Sequence, residues 1–178
     1  EPTGEELRRR VGVVTQEVQI LRASLRDNLT LLGAVEATDD RLVAALQEVG
    51  LGGWLAAQPD GLDTHLEGAG ALSAGQAQLL AFARILLTDP GLIVLDEATS
   101  RLDPATEALV TRATDRVFVG RTVVIIAHRL ATLDRADIVV VIDEGRVLEA
   151  GPRADLARRH RGRYAALLEE SAGVGGQP

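Results

Sequence analysis

Four short runs of apolar residues predict buried β-strands. They are continuous over about five residues instead of alternating with polar ones, which is typical of parallel strands covered on both faces. The runs lie at Val11–Thr15, Leu92–Leu95, Val123–Ala127 and Ile138–Ile142. We expect these four strands to lie in one sheet.

Between the first two predicted strands, the spacing of the apolar residues is that of helices. Apolar residues recur with helical period from Leu42 to Val49 and again from Gln76 to Leu87. Glycines and a proline between the two stretches mark loops. We predict a mainly helical lobe over 17–88, set between two parts of a strand-containing core, and a disordered tail. The predicted divisions are 1–16 for the first core part, 17–88 for the lobe, 89–170 for the second core part and 171–178 for the tail.

The second half of the chain reads as an α/β crossover followed by a hairpin. A helix over 104–117 separates the strands at Leu92 and Val123, which is the order of a parallel crossover unit. Asp143-Glu144-Gly145 predicts a tight turn into a strand over 146–149. Further helices are expected over 153–159 and 164–170.

Composition limits the classes of function. The 178 residues carry a net charge of −7 and no basic block, which argues against nucleic acid as a partner. The chain has no cysteine, so disulfides and thiolate sites are excluded. No apolar run approaches the roughly 20 residues that span a bilayer. The absence of methionine indicates that Glu1 is not a native start, and we expect residues upstream of it.

All 19 basic residues are arginine, so lysine is absent. A phosphate-binding loop of the form G-x-x-x-x-G-K-[ST] needs its lysine as a compact charge on the phosphates. The chain therefore contains no such loop in any register.

An apolar strand ends in two adjacent carboxylates, Asp96 and Glu97. Ligands of open α/β sheets bind at the carboxyl ends of the strands. Since adjacent side chains diverge, one carboxylate can hold Mg²⁺ while the other polarises an attacking water. Taken alone, the pair is better explained by a solvated strand end, with Asp96 capping the next turn.

The segment Leu72-Ser73-Ala74-Gly75-Gln76 predicts a helix start. Ser73 can cap the helix and Gln76, three residues on, completes a capping box. The small residues Ala74 and Gly75 would let an anion approach the free N–H groups of the first turn. We expect this turn to be exposed, although an ordinary capped helix explains the same residues.

Three further residues carry little information singly. Asp103 before Pro104 is a helix N-cap with proline at the first helical position. His128 follows a predicted strand, where most histidines are structural or simply exposed. Gln16 follows the first strand and has no obvious role by itself.

The order of these segments resembles the ABC-type ATPase family. Gln16 resembles the Q-loop glutamine, and Leu72–Gln76 resembles the signature LSGGQ with Ala74 in place of a glycine. Leu92–Glu97 is similar to the Walker B strand with its catalytic glutamate. Ser100–Asp103 resembles the D-loop, and His128 resembles the switch histidine. The resemblance covers residues 7 to about 170.

The flanks are similar to exporter-type members of this family. Val11–Leu29 and the stretch from Ile138 to Leu156, with Gly162-Arg163-Tyr164, carry this similarity. Thr64–Gly70 departs from it, because this segment is poor in charge where exporters often carry TEVGERG.

The resemblance implies a fold and a set of roles. It implies a partial RecA-like P-loop ATPase core of α/β class with a helical signature subdomain. It implies ATP and Mg²⁺ as ligands, a second nucleotide-binding domain joined head to tail, and a transmembrane domain at the cytoplasmic face of the cell membrane. Ser73, Ala74, Gly75 and Gln76 would contact the nucleotide of the other domain. Asp96 and Gln16 would bind the metal, and Glu97, His128 and Gln16 would take part in catalysis. Asp103 would couple the two nucleotide sites.

Two other functions remain open at this stage. A soluble ABC ATPase of the DNA-repair or chromosome-structural type has similar motifs, although 17–72 is too short for a long coiled-coil insertion. The chain could also serve only as an interaction module. In either reading we expect the isolated chain to be inactive, because it lacks a phosphate-binding loop.

Overall fold

The computed structural model describes residues 10–15, 17–96, 102–127 and 130–174. The chain divides into two compact units, with the boundary between Ile126 and Ala127. Gln16, Glu97, Ser100 and His128 lie outside the described residues.

Helices separate the last three strands of the first unit, whereas two consecutive strands precede two helices in the second unit. The strands are β1 (Val11–Val14), β2 (Arg22–Ser24), β3 (His65–Glu67), β4 (Leu92–Asp96), β5 (Thr122–Ile126), β6 (Ile138–Asp143) and β7 (Arg146–Pro152). The helices are α1 (Leu25–Thr30), α2 (Asp39–Glu48), α3 (Gly52–Ala56), α4 (Ala74–Thr88), α5 (Pro104–Phe118), α6 (Arg153–Ala157) and α7 (Arg163–Val174). Short 3₁₀ turns cover Gly61–Asp63 and Leu130–Arg135.

Strands β1, β4 and β5 form a parallel sheet with β4 in the centre. Val13 pairs with Val94, and Val94 pairs with Val124. Because a parallel pair needs a crossover, the helices lie between these strands in the sequence. The expected crossover through residues 104–117 is confirmed, since α5 connects β4 to β5.

The prediction that β6 shares this sheet is wrong for the residues described. β6 pairs antiparallel with β7 in a two-stranded sheet of the second unit. Glu144 and Gly145 at the turn have φ of 45° and 74°, the left-handed pair that a type I′ hairpin turn requires. The tight turn thus returns the chain beside β6, and the expected hairpin is confirmed.

Only one face of the three-stranded sheet is covered within the first unit. Ile93 and Leu95 are buried on that face, and Ile85 of α4 lies so close to Gly12 that a Cβ there would collide with it. On the opposite face Val13 and Val124 are 58% and 48% exposed. The sequence predicted burial on both faces, but no described helix of the first unit lies over the second face.

The segment expected to be helical contains most of the buried leucines of the first unit. Helices α2 and α4 pack together through residues such as Leu42, Leu46 and Phe82. It also contains the antiparallel pair of β2 with β3, which the sequence did not predict. The domain boundaries at 17 and 88 stay a prediction.

The second unit has its own small core. Val139 of β6, Leu156 of α6 and Tyr164 of α7 are each at most 5% exposed and pack together. Helix α7 continues to Val174, so the disordered tail expected from 171 is wrong for residues 171–174. In this last turn Oγ of Ser171 donates to the carbonyl of Leu168 at 2.9 Å, so the first residue of the expected tail is bonded to the helix.

Candidate functional site

The N-terminus of α4 carries the capping box that the sequence predicts. The backbone N–H of Gln76 donates to Oγ of Ser73 at 3.2 Å, and the N–H of Ser73 donates to Oε1 of Gln76 at 2.9 Å. Ser73 and Ala74 are exposed. The first intrahelical bond reaches back from Ala77, so the N–H groups of Ala74 and Gly75 have no acceptor within the helix. An exposed, positively polarised helix end results.

Gly75 is buried, in contrast to its two exposed predecessors. A Cβ built on it would overlap Cγ2 of Thr106 in α5 and would lie 3.5 Å from Cδ2 of Leu102. The missing side chain at this position therefore allows α4 and α5 to pack at their N-termini. The expectation that the whole first turn is exposed is therefore wrong for Gly75, whose packing role was not foreseen. Its role toward an anion stays a prediction.

Asp103 caps α5 as predicted. Its Oδ1 accepts from the N–H groups of Ala105 and Thr106 at 3.1 and 3.0 Å, with Pro104 at the first helical position. The hydroxyl and the backbone N–H of Thr106 hold the pKa of Asp103 below its usual range. Since Thr106 also contacts Gly75, the capped ends of α4 and α5 lie together.

Asp96 is the last residue of β4 and pairs in register with Ile126, the last residue of β5. It is half-buried at the carboxyl end of the parallel sheet, where the sequence placed it. A carboxylate is the hard oxygen ligand that Mg²⁺ prefers, so its chemistry fits a metal site. Within the described residues, however, no group of three or more acidic or histidine side chains could hold a metal.

The three predicted catalytic residues follow the ends of adjacent strands in the sequence. Gln16 comes two residues after β1, Glu97 one residue after β4, and His128 two residues after β5. These three residues lie outside the described part of the chain, so their roles stay predictions.

One cavity, of about 490 Å³, lies at the other end of the helices and has a structural explanation. Arg41 donates to a carbonyl in the last turn of α4 at 3.0 Å, Arg116 to the last carbonyl of α2 at 3.3 Å, and Arg121 to the last turn of α5 at 2.7 Å. Three negatively polarised helix ends meet there, and the guanidinium groups compensate them. The three guanidinium groups of this cavity thus act as caps of helix C-termini.

A buried polar network joins α1 to α4, and sequence reasoning missed it. Asn28 is fully buried, and Arg84 is half-buried with its guanidinium against Asn28. The one available signal was the isolated charge of Arg84 within the apolar stretch from Leu79 to Leu87.

Comparison with known proteins assigns the class. A family model described as ABC transporter matches residues 1–100. ABC transporter B family member 21 of Arabidopsis thaliana is 38% identical over 91% of this chain and 12% of its own length. The β-(1→2)glucan export ATP-binding/permease protein NdvA of Rhizobium johnstonii is 41% identical over 95% of this chain and 29% of its own length.

Two further proteins show the same similarity. The mycobactin import ATP-binding/permease protein IrtA of Mycolicibacterium thermoresistibile is 40% identical over 94% of this chain and 18% of its own length. The structure of a bacterial Atm1-family ABC exporter with ATP bound is 34% identical with a TM-score of 0.81, covering 94% of this chain and 29% of that one.

The chain belongs to the ABC transporter family, and its sequence and fold are those of an exporter-type nucleotide-binding domain. The α/β structure corresponds to a partial RecA-like core, as expected. The chain spans between 12% and 29% of the length of these relatives. None of the helices described is long and apolar enough to cross a membrane.

Proposed function

We propose that this chain is part of the ATP-hydrolysing domain of an ABC exporter. The observation that carries the proposal is the exposed, capped N-terminus of α4, built by Ser73 and Gln76 in the same unit as the strand that ends at Asp96. One unit thus combines an anion-attracting helix end with a carboxylate suited to a metal ion.

The proposed roles are those that the resemblance to ABC-type ATPases implies for these residues. Asp96 would hold Mg²⁺, which supplies charge neutralisation for the transferred phosphoryl group. Glu97 would accept the proton of the attacking water, and His128 and Gln16 would orient the γ-phosphate and that water. Rate acceleration would come mainly from positioning and electrostatic stabilisation, since phosphoryl transfer needs little covalent help from the protein.

The exposed end of α4 would serve the nucleotide of a second domain, joined head to tail. Exposure of Ser73 and Ala74 supports this arrangement, because this chain's own side chains leave them uncovered. Asp103 caps the neighbouring helix, and the contact between Gly75 and Thr106 would link the two segments that face the other domain. ATP-driven closure of the pair would then drive transport through a transmembrane part.

The direction of transport rests on similarity. The NdvA relative is named for export and the Atm1-family structure is an exporter, whereas the IrtA relative is named for import. The match to the Atm1-family exporter over 94% of the chain supports an exporter. In such a transporter the domain would lie at the cytoplasmic face of the membrane. The 178 residues contain no lysine and no phosphate-binding loop, so the assembled transporter must supply that loop.

A pair of substitutions tests the shared site. Ala74→Asp adds a negative charge at the exposed first turn, where it does not harm the helix but repels a phosphate. Glu97→Gln removes the proposed base. Consider a transporter with two linked copies of this sequence, with Ala74→Asp in one copy and Glu97→Gln in the other. Both changes then fall in the same nucleotide site, and the second nucleotide site stays intact.

Placing both changes in the same copy damages both sites. We expect the transporter with the changes in different copies to retain Mg-ATP turnover. With both changes in the same copy, turnover should fall on the order of 10²-fold. Ala74→Asn, which is equal in size and uncharged, is the control. Equal activity of the two arrangements would contradict the head-to-tail site.

A further inference from the structure

Arg84 of α4 binds the segment that follows Gln16. Its Nε donates to the carbonyl of Asn28 at 2.8 Å, one Nη to the carbonyl of Gln19 at 3.0 Å, and the other Nη to Oδ1 of Asn28 at 3.3 Å. Gln19 is three residues after Gln16 in the sequence. One guanidinium thus connects the helix that begins at Ser73 with the segment that begins at Gln16.

Asn28 holds the rest of that segment. Its Oδ1 accepts from the N–H of Leu21 at 2.8 Å, and its Nδ2 donates to the carbonyls of Leu21 and Ser24 at 3.0 Å each. A third contact, to the carbonyl of Ala23, measures 3.4 Å. Because the side chain is fully buried, losing any of these bonds leaves polar groups without water to replace it.

The geometry requires a guanidinium. Burial lowers the pKa of Arg84, and within the described residues it forms no ion pair, so its bonds go to carbonyl and amide oxygens. A planar fork reaches three acceptors at once, whereas a lysine ammonium on a flexible stem is a point charge. Replacing Arg84 with lysine would therefore keep the charge and lose the fixed spacing.

We propose that Arg84 and Asn28 are a positioning pair that makes the segment after Gln16 move as one piece with the signature helix α4. This rests on the proposed function, in which Gln16 contacts metal and water in one nucleotide site while Ser73 serves the other. The hydrogen bonds of the pair would then transmit a displacement of Gln16 to α4, and the helix would carry it to its N-terminus. Neither residue would touch nucleotide.

Kinetics of the assembled transporter provide the first test. Arg84→Lys, Arg84→Ala and Asn28→Ala should each lower kcat for Mg-ATP by about tenfold, the effect of one lost hydrogen bond to a charged group, with KM within about twofold. Arg84→Ala combined with Asn28→Ala should lose no more than the worse single variant, because both remove the same link. Arg116→Lys, whose guanidinium caps α2 instead, is the matched control.

A distance measurement separates positioning from stability. The 178 residues have no cysteine, so spin labels can be attached to cysteines placed at the exposed positions Glu17 and Thr88 once any others in the transporter are removed. We expect a narrow distance distribution in the parent and a broad one in Arg84→Lys. Arg84→Lys retains the aliphatic stem and the charge, so it still tests the proposal if Arg84→Ala does not fold.

Three results would overturn the proposal. One is an unchanged distance distribution with unchanged kcat per folded protein, even where the unfolding temperature falls. Another is a rise in KM alone, and the third is multiplied losses in the double variant. A parent that does not turn over Mg-ATP would instead refute the proposed function, while the label distances would still test the pair.

Discussion

The methyl group of Thr106 in α5 occupies the space that a side chain at Gly75 in α4 would need. The contact joins the second residue of one helix to the third residue of the other. Each of these two residues lies one helical turn from a side-chain cap, Ser73 and Asp103 respectively. The glycine of the signature therefore has a packing function in this unit, independent of any nucleotide.

Gly75→Ala should destabilise the domain through this contact. Alanine in a helix is favoured over glycine by up to about 1 kcal/mol, but overpacking costs about 1–3 kcal/mol, so the overlap dominates. Thr106→Ser removes the colliding methyl group and keeps the hydroxyl. We expect the free energy of unfolding to fall in Gly75→Ala and to recover when Thr106→Ser is added, as measured by denaturant titration of the intact domain. Failure of Thr106→Ser to compensate would show that another contact sets the requirement.

The cap of α5 should show a matching pH dependence. Because the folded-state pKa of Asp103 is depressed, its contribution to stability is present above the unfolded value of about 3.9 and is lost as pH falls through the lower folded pKa. Thr106→Val removes the hydroxyl, which is the largest cause, and should raise this pKa, whereas Thr106→Ser should leave it depressed. Carboxyl chemical shifts followed against pH measure both. An unshifted Asp103 in Thr106→Val would rule out the hydroxyl as the cause.

Glu97→Gln in the assembled transporter should preserve ATP binding and remove turnover. Glutamine keeps the shape of the side chain but cannot accept a proton, so a loss on the order of 10² to 10⁴ is expected. His128→Ala should impair turnover as well. Glu107→Gln, an equal change at an exposed position of α5, is the control. Hydrolysis at the parent rate by Glu97→Gln would show that another group is the base.

The isolated 178-residue chain should neither hydrolyse ATP nor bind it tightly. It has no lysine-bearing phosphate loop, and Asp96 and Glu97 add negative charge where the triphosphate would lie. Calorimetric titration with Mg-ATP measures the affinity, and phosphate release measures the activity. Micromolar affinity with magnesium-dependent phosphate release would mean that the chain contains another phosphate cradle.

Local interactions explain what the sequence by itself determined. The caps at Ser73 and Asp103 involve residues within three positions of each other, so their spacing alone specified them. The strands at Val11, Leu92 and Val123 were foreseen from short apolar runs for the same reason. The order of the motifs also gave the family, because that order is a property of the chain and needs no coordinates.

Contacts between distant parts of the chain were decided only by the tertiary structure. Arg84 meets Gln19 across 65 positions, and no local pattern encodes that pairing. The apolar run at Ile138 resembles those of the parallel strands, yet a two-residue turn pairs it with β7 instead. Gly75 is buried because α5 folds against it. Hydrophobicity selects which residues are buried, but the partner of each depends on which surfaces the completed fold brings together.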